Sequence, residues 1–270
     1  MQLKSTQRGF TLAEIAVSFL IISLLLGGAI MTLSAQIEQR NFDEAQRRLN
    51  AAAEAILAHS IVNRRLPCPA RFTSAANHSS GLESFCTNAT AFPCAVANET
   101  TVVQAAGNCS HPYNGFVPAA SIGATPVDSL GFALDPWGNR LRYAVSRLNT
   151  GCTTAPPANT RILTSQANLK TYGIGCLPSD LDVCTTSACA SRVVSTNTAV
   201  FIVYSTGKNG SLAADAAARP NEAENLDNDA TFVHRVPDPA GAVGGEYDDL
   251  MVVVPVGQFY SRLIGAGVLP

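Results

Sequence analysis

The hydrophobic pattern is strongest near the amino terminus. From Ile15 to Ile37 the chain carries no charged residue, and the apolar stretch within this interval is long enough to cross a bilayer as a helix. Lys4 and Arg8 precede this stretch, whereas the first charged residue after it is Glu38. The pattern therefore predicts a single membrane-spanning helix over residues 10–33, with the amino terminus in the cytoplasm and the bulk of the chain outside.

A second helical pattern follows without a break. Residues 34–65 contain neither Gly nor Pro, and apolar residues recur at three- and four-residue spacings with charged residues between them. This spacing predicts an amphipathic helix that lies on a globular domain and ends before Pro67 and Pro69, which cannot continue it. The apolar stripe consists of Ile37, Phe42, Ala45, Leu49, Ala52, Ala53, Ile56 and Leu57.

The remaining residues, 66–270, are predicted to form one globular head. Three short runs rich in β-branched and aromatic residues, at 141–145, 199–204 and 250–254, have the length and composition of strands. We expect them to form a small antiparallel sheet on the helix, which makes the fold class α+β. Segments rich in small polar residues, at about 70–122 and 146–195, predict irregular insertions.

Composition and the absence of two sequence motifs argue against several classes of function. The chain has 18 Lys and Arg against 20 Asp and Glu, so it offers no general basic surface for a nucleic-acid backbone. Gly207 and Lys208 follow a predicted strand but lack the other residues of a phosphate-binding loop, and no G-x-S-x-G sequence occurs. We therefore predict neither an enzyme nor direct nucleic-acid binding.

The cysteines indicate an oxidising compartment. All eight lie after residue 67, none forms a C-x-x-C pair, and the histidines are not spaced from them as in zinc fingers. Disulfides are the favoured interpretation, with free buried thiols or a metal site as the alternatives. Eight cysteines allow 105 pairings, so the connectivity stays open. The short separations Cys86 to Cys94 and Cys184 to Cys189 favour local loops.

An ordinary secretory signal peptide, cleaved before Gln36, is the alternative to a membrane anchor. Three features oppose it. The apolar run exceeds the 7–15 residues of such a peptide, Glu14 stands at its edge, and the helical pattern continues beyond it. Glu14 is itself unusual, because a carboxylate at the edge of a membrane segment requires a partner.

The heptapeptide Arg8-Gly-Phe-Thr-Leu-Ala-Glu14 resembles the class III signal of type IV pilins and type II secretion pseudopilins. The resemblance implies that residues 1–9 are a leader, which a membrane-embedded prepilin peptidase removes after Gly9. It also implies N-methylation of Phe10 and pairing of Glu14 with the free amine of a neighbouring subunit during filament assembly.

This resemblance carries expectations about partners and location. The chain would be anchored in the bacterial inner membrane with its head in the periplasm. It would join other pilin or pseudopilin subunits through an inner-membrane assembly platform, in a pseudopilus or pilus for protein secretion, adhesion or DNA uptake. The sequence Asp135-Pro-Trp-Gly-Asn139, followed by a strand, is similar to one in the heads of major pseudopilins. The alternative is a secreted or membrane-anchored extracytoplasmic binding protein that uses the helix only as an anchor.

Acidic residues concentrate near the carboxyl end. Nine of the twenty acids lie between residues 215 and 249, where only two arginines oppose them. Oxygen-rich loops of this kind suit Ca²⁺, although no EF-hand template matches. Major pseudopilins place a calcium loop between a glycine-containing turn and a closing Asp-rich strand, and 207–210 and 247–249 resemble these two parts. The candidate calcium ligands are Asp229, Asp248 and Asp249; a merely solvated acidic loop is the alternative.

Overall fold

The computed structural model of the protein describes residues 11–71, 80–87, 94–157, 159–178, 180–210, 215, 217–239 and 241–269, without the side chains of residues 26, 28–34 and 96. The chain divides into two compact units, Met1–Asp43 and Glu44–Pro270.

The helices and strands are as follows, in chain order. The helices are α1 Leu12–Asn63, α2 Ala119–Ile122, α3 Gln166–Tyr172, α4 Pro220–Glu224 and α5 Val256–Gly265. The strands are β1 Phe85–Cys86, β2 Glu99–Thr100, β3 Gly115–Phe116, β4 Arg142–Val145, β5 Asn149–Thr150, β6 Leu177–Pro178, β7 Asp182–Cys184, β8 Ala199–Ser205, β9 Thr231–Val233 and β10 Leu250–Pro255.

In the first unit, the described side chains of α1 are mainly apolar and exposed. Leu12, for example, is 88% exposed and Phe19 is 67% exposed. The membrane-spanning segment predicted over residues 10–33 includes Phe10 and several side chains that lie outside the described residues. In the part of the chain that the structure describes, no helix has the length and hydropathy needed to cross a membrane.

In the second unit, α1 is amphipathic as the periodicity predicts. Its apolar stripe from residue 45 onward is buried, with no member more than 5% exposed. Ile37, which belongs to the first unit, is instead 49% exposed. The helix ends at Asn63, before the two prolines, as expected. The buried members of the stripe are Ala45, Leu49, Ala52, Ala53, Ile56 and Leu57.

A four-stranded antiparallel sheet forms the centre of the head, with strand order β10-β8-β4-β3. The three predicted strands correspond to β4, β8 and β10, which confirms the α+β fold class. Strand β8 lies between β4 and β10, and all seven of its residues are buried because both faces are covered. Tyr143 on β4 meets Phe201 on β8 edge to face, with ring centroids 5.8 Å apart.

Four disulfides link all eight cysteines. The pairs Cys86–Cys94 and Cys184–Cys189 are the local loops that the spacing favours, and both are confirmed. Cys68–Cys109 and Cys152–Cys176 close longer loops. The two segments predicted to be irregular are in fact partly ordered into short strands and helices. One of these strands, β7, pairs in parallel with β9, which lies outside both segments. Strands of two or three residues are too short to leave a periodic signal in the sequence.

Candidate functional site

The start of α1 contains Glu14, the predicted assembly residue, and follows the predicted processing residues Gly9 and Phe10. Gly9 and Phe10 lie outside the described residues, whereas Glu14 lies in the first turn of the helix. The Glu14 carboxylate accepts hydrogen bonds from the backbone N–H and the hydroxyl of Thr11, each at 2.9 Å. In return, the Glu14 backbone N–H donates to the Thr11 hydroxyl oxygen at 3.3 Å. This reciprocal arrangement is a capping box, which satisfies two backbone donors at the helix start.

The acidic loops of the head converge at the turn that follows β8. The Lys208 and Asn209 backbone N–H groups donate to one oxygen of Asp248, at 2.9 and 3.2 Å. Gly207 has a φ of 62°, and a Cβ atom there would lie only 2.1 Å from Asp248 Oδ1. Glycine is therefore required at this position both for the backbone conformation and for the close approach of the carboxylate.

Asp249 is held from the opposite side by Asn225. Its Oδ2 accepts a 2.7 Å hydrogen bond from Asn225 Nδ2. Asn225 is itself fixed by β9, because its side chain donates to the Val233 carbonyl and accepts from the Val233 N–H. Asp249 and Asn225 are 1% and 2% exposed, so the amide orients a carboxylate that solvent does not reach.

Glu222 is the third acidic residue at this position, beside Asp248 and Asp249. Pro220 stands at the first position of α4, where a missing N–H is tolerated, and this places Glu222 in the first turn. The Glu222 side chain is fully buried; its Oε1 accepts from the Asp248 N–H at 2.9 Å and from Asn209 Nδ2 at 3.0 Å. Glu222, Asp248 and Asp249 each offer an oxygen within 4.8 Å of the others.

Three oxygens at this point have no hydrogen-bond partner among the described residues. They are Asp248 Oδ1, Asp249 Oδ1 and Asn209 Oδ1, each shielded from solvent. Burial, together with the Glu222 and Glu246 charges, raises the pKa of Asp248 to about 7, although the N–H groups of Asn209 and Lys208 oppose the shift. Burial also raises the pKa of Asp249 well above its usual range, and that of Glu222.

The donor set fits a hard cation. Carboxylate and amide oxygens are the ligands that Ca²⁺ takes, in sets of six to eight that include water. Arg219 opposes the group, with its Nε 3.6 Å from Glu222 Oε2, and the charge of Arg142 lowers the pKa of Asp249. Burial outweighs these charges, because the pKa of all three carboxyl groups is raised. A divalent ion would balance the carboxylates and use the oxygens that have no hydrogen-bond partner among the described residues.

Asp229 lies elsewhere, in a second acidic group with Glu224 and Asp227. No group that the described residues form contains all three predicted calcium ligands: Asp248 and Asp249 come together, and Asp229 does not join them. Asp229 is exposed, and its Oδ1 accepts from the Thr231 N–H at 2.6 Å, as in an Asx turn. This hydrogen bond stabilises the turn that leads into β9.

Sequence reasoning did not single out Glu222, Asn209 or Asn225. Glu222 was only one of nine acids in its segment, and the residues that it contacts are 13 and 26 positions away. Asn209 lies within the glycine-containing turn, which the resemblance to major pseudopilins did identify. Pro220 gives a weak signal, since proline is common at the first position of a helix and so indicates where α4 begins.

Comparison with known proteins gives one result. The family model described as the prokaryotic N-terminal methylation motif matches residues 4–30. This segment is therefore a type IV pilin-like signal, of the kind that prepilin peptidase processes, and the motif is typical of structural subunits rather than enzymes. No curated protein and no solved structure matches the chain significantly. The head is thus understood from its own residues.

Proposed function

We propose that this chain is a pilin-like filament subunit, either a pseudopilin or a minor type IV pilin. Prepilin peptidase cleaves it after Gly9, Phe10 becomes the N-methylated amino terminus, and residues 10–33 hold the subunit in the inner membrane until it assembles. The single observation that carries this proposal is the methylation motif over residues 4–30. The uninterrupted course of α1 to Asn63 supports it.

Glu14 is the proposed assembly residue. Its carboxylate stands one turn after the new amino terminus and would pair with the amine of a neighbouring subunit, because a charge among apolar side chains needs an opposite charge. Within the free subunit, Thr11 provides hydrogen bonds but no compensating charge. The subunit would then enter a periplasmic pseudopilus or a surface pilus and serve secretion, adhesion or DNA uptake.

The decisive measurement is the mass of the amino-terminal peptide from membranes, with and without prepilin peptidase. We expect a chain that begins at N-methyl-Phe10 only when the peptidase is present. A chain that begins at Gln36 or retains Met1 would refute the proposal and would favour an extracytoplasmic binding protein.

A pair of variants separates assembly from helix capping. We expect Glu14→Gln to be processed normally. Its amount in sheared filaments should fall at least about 10-fold, since leaving the terminal amine unpaired costs more than about 1.4 kcal/mol. Thr11→Ala removes the capping hydroxyl and keeps the charge, so filaments should persist. Equal filament yields from both variants and the unmodified chain would contradict the role of Glu14.

We also propose that the head binds Ca²⁺ through Glu222, Asp248 and Asp249, with the amide oxygen of Asn209 as a fourth donor. The support is that three buried carboxylates lie together with three oxygens for which the described residues provide no hydrogen-bond partner. The ion would tie the turn after β8 to α4 and to the residues before β10. Removal of Ca²⁺ with a chelator should lower the unfolding temperature of the full chain, and re-addition should restore it.

A further inference from the structure

A tight turn over residues 135–139 precedes β4. The Asp135 N–H donates to the Asn139 carbonyl at 2.8 Å, which closes the turn, and Gly138 has the positive φ, 88°, that favours glycine. The Asp135 carboxylate organises the interior, because its Oδ1 accepts from the backbone N–H groups of Trp137 and Asn139 at 3.0 and 2.8 Å. Asp135 therefore stabilises this turn from within.

The 135–139 turn binds the turn that follows β8, residues 206–210, which we call the β8 turn. Asn139 Nδ2 donates to the Gly207 carbonyl at 2.6 Å. Asp135 Oδ2 accepts from the Ser205 hydroxyl at 2.6 Å, and this hydroxyl accepts from the Gly207 N–H at 3.2 Å. Asp135 and Ser205 are 2% and 0% exposed, so solvent does not compete for this link. Both backbone polar groups of Gly207 are thus held from the 135–139 turn, one directly and one through Ser205.

The β8 turn needs such support because glycines flank it. Gly207 has a φ of 62°, and glycine restricts the backbone less than any other residue, so the local sequence does not fix the conformation of this turn. Gly210 also makes room for Asn139, since a Cβ atom at Gly210 would lie only 2.7 Å from Asn139 Nδ2. Hydrogen bonds from the 135–139 turn therefore supply what local preference does not.

The β8 turn also carries groups of the proposed Ca²⁺ site. The backbone N–H groups of Lys208 and Asn209 donate to Asp248, and the Asn209 amide donates to Glu222. These donors directly follow Gly207 in the chain. A displacement of Gly207 would therefore move the Asn209 side chain and both N–H groups relative to the carboxylates.

We propose that Asp135 and Asn139 are positioning residues for the Ca²⁺ site, because they hold the β8 turn in the place where Asn209 meets the acidic group. This inference rests on the Ca²⁺ binding proposed above for the head. In the part of the chain that the structure describes, neither residue hydrogen-bonds to the three carboxylates. Both act through the β8 turn, as residues that orient metal ligands do.

The test is a calorimetric Ca²⁺ titration of the full chain in detergent, well below its unfolding temperature. Asn139→Ala removes the donor to Gly207 and keeps every carboxylate, so Ca²⁺ affinity should fall about 10-fold. Asn168→Ala is the matched control, because Asn168 Nδ2 likewise donates to one backbone carbonyl, that of Arg161, at 2.9 Å. This control should bind Ca²⁺ as tightly as the unmodified chain.

A second measurement reports on the β8 turn without the ion. In chelator, the amide protons of Lys208 and Asn209 should exchange with solvent at least about 10-fold faster in Asn139→Ala than in the unmodified chain, because their bonds to Asp248 open more often. Asn168→Ala should leave their exchange unchanged. A role confined to overall stability would lower the unfolding temperature of both variants and leave the Ca²⁺ affinity of the folded chain unaltered.

The outcomes separate this inference from the Ca²⁺ site itself. Unchanged affinity or unchanged amide exchange in Asn139→Ala, or an equal loss of affinity in Asn168→Ala, would overturn the positioning role and leave the site standing. If the unmodified chain does not bind Ca²⁺, the site is refuted, and this inference with it. Should Asn139→Ala fail to fold, Ser205→Ala replaces it, since this variant breaks the link from Asp135 to the Gly207 N–H and should also lower Ca²⁺ affinity about 10-fold.

Discussion

The head carries two groups of three acidic residues. Each consists of one Glu and two Asp, but the groups differ in burial and in the hydrogen bonds of their carboxylate oxygens. In each group, oxygens of the three side chains lie within 4.8 Å of one another. Glu222, Asp248 and Asp249 are buried, and two of these carboxylates each retain an oxygen that accepts no hydrogen bond from the part of the chain that the structure describes. In the other group Asp227 and Asp229 are exposed and use carboxylate oxygens to close turns. The comparison teaches that burial and unpaired oxygens, rather than the number of acids, are what separate the proposed cation site from the exposed acidic group.

The largest effect should come from Asp249→Asn. The substitution keeps the shape and the oxygen that accepts from Asn225, but it removes one ligand charge, so Ca²⁺ affinity should fall about 100-fold or more. Without Ca²⁺ the variant should be at least as stable as the unmodified chain, because a buried charge has been removed. Calorimetric titration and unfolding in chelator measure the two parts. If this variant binds Ca²⁺ as tightly as the unmodified chain, the buried group is not the Ca²⁺ site and burial does not distinguish the two groups.

A smaller effect is expected from Asn225→Ser, which leaves all three carboxylates in place. Ser cannot reach both Asp249 and Val233, so Asp249 loses its orientation and Ca²⁺ affinity should fall about 10-fold. Asn228→Gly, between Asp227 and Asp229 of the other group, is the control, since its φ of 70° is compatible with glycine. If both variants bind Ca²⁺ as tightly as the unmodified chain, Asn225 does not position the ligand.

The smallest effect should come from Asp229→Asn. Its side chain is exposed, and an amide oxygen can still accept from the Thr231 N–H. We expect less than about a 2-fold change in Ca²⁺ affinity and a change in stability within about 0.5 kcal/mol. A loss comparable to that of Asp249→Asn would show that the ion sits in the exposed group.

The sequence predicts the longer elements of the fold. The stripe from Ala45 to Leu57 follows from side-chain spacing, whereas the strands β4, β8 and β10 follow from the length and the β-branched and aromatic composition of their runs. The partial order within the cysteine-rich insertions does not follow, since two-residue strands such as β1 and β5 are fixed by tertiary contacts and disulfides rather than by local pattern.

The candidate cation site was predictable only in part. The proximity of the Gly207 turn to Asp248 was expected from the resemblance to major pseudopilins, and Asp249 follows from its place beside Asp248. The sequence could not show which of Asp229 and Glu222 is the better candidate for a Ca²⁺ ligand, because both belong to the same acidic segment. Only the packing of α4 decides which of the two faces inward.

The placement of α5 affects how the chain is made. Phe259 and Leu263 of α5 belong to the same core as Leu49 and Ile56 of α1, and Arg262 pairs with Glu54 at 3.0 Å. The apolar stripe of α1 is synthesised before α5, and α5 contributes part of its cover. A newly made chain therefore keeps part of this stripe exposed to solvent until α5 has been synthesised and has packed against it.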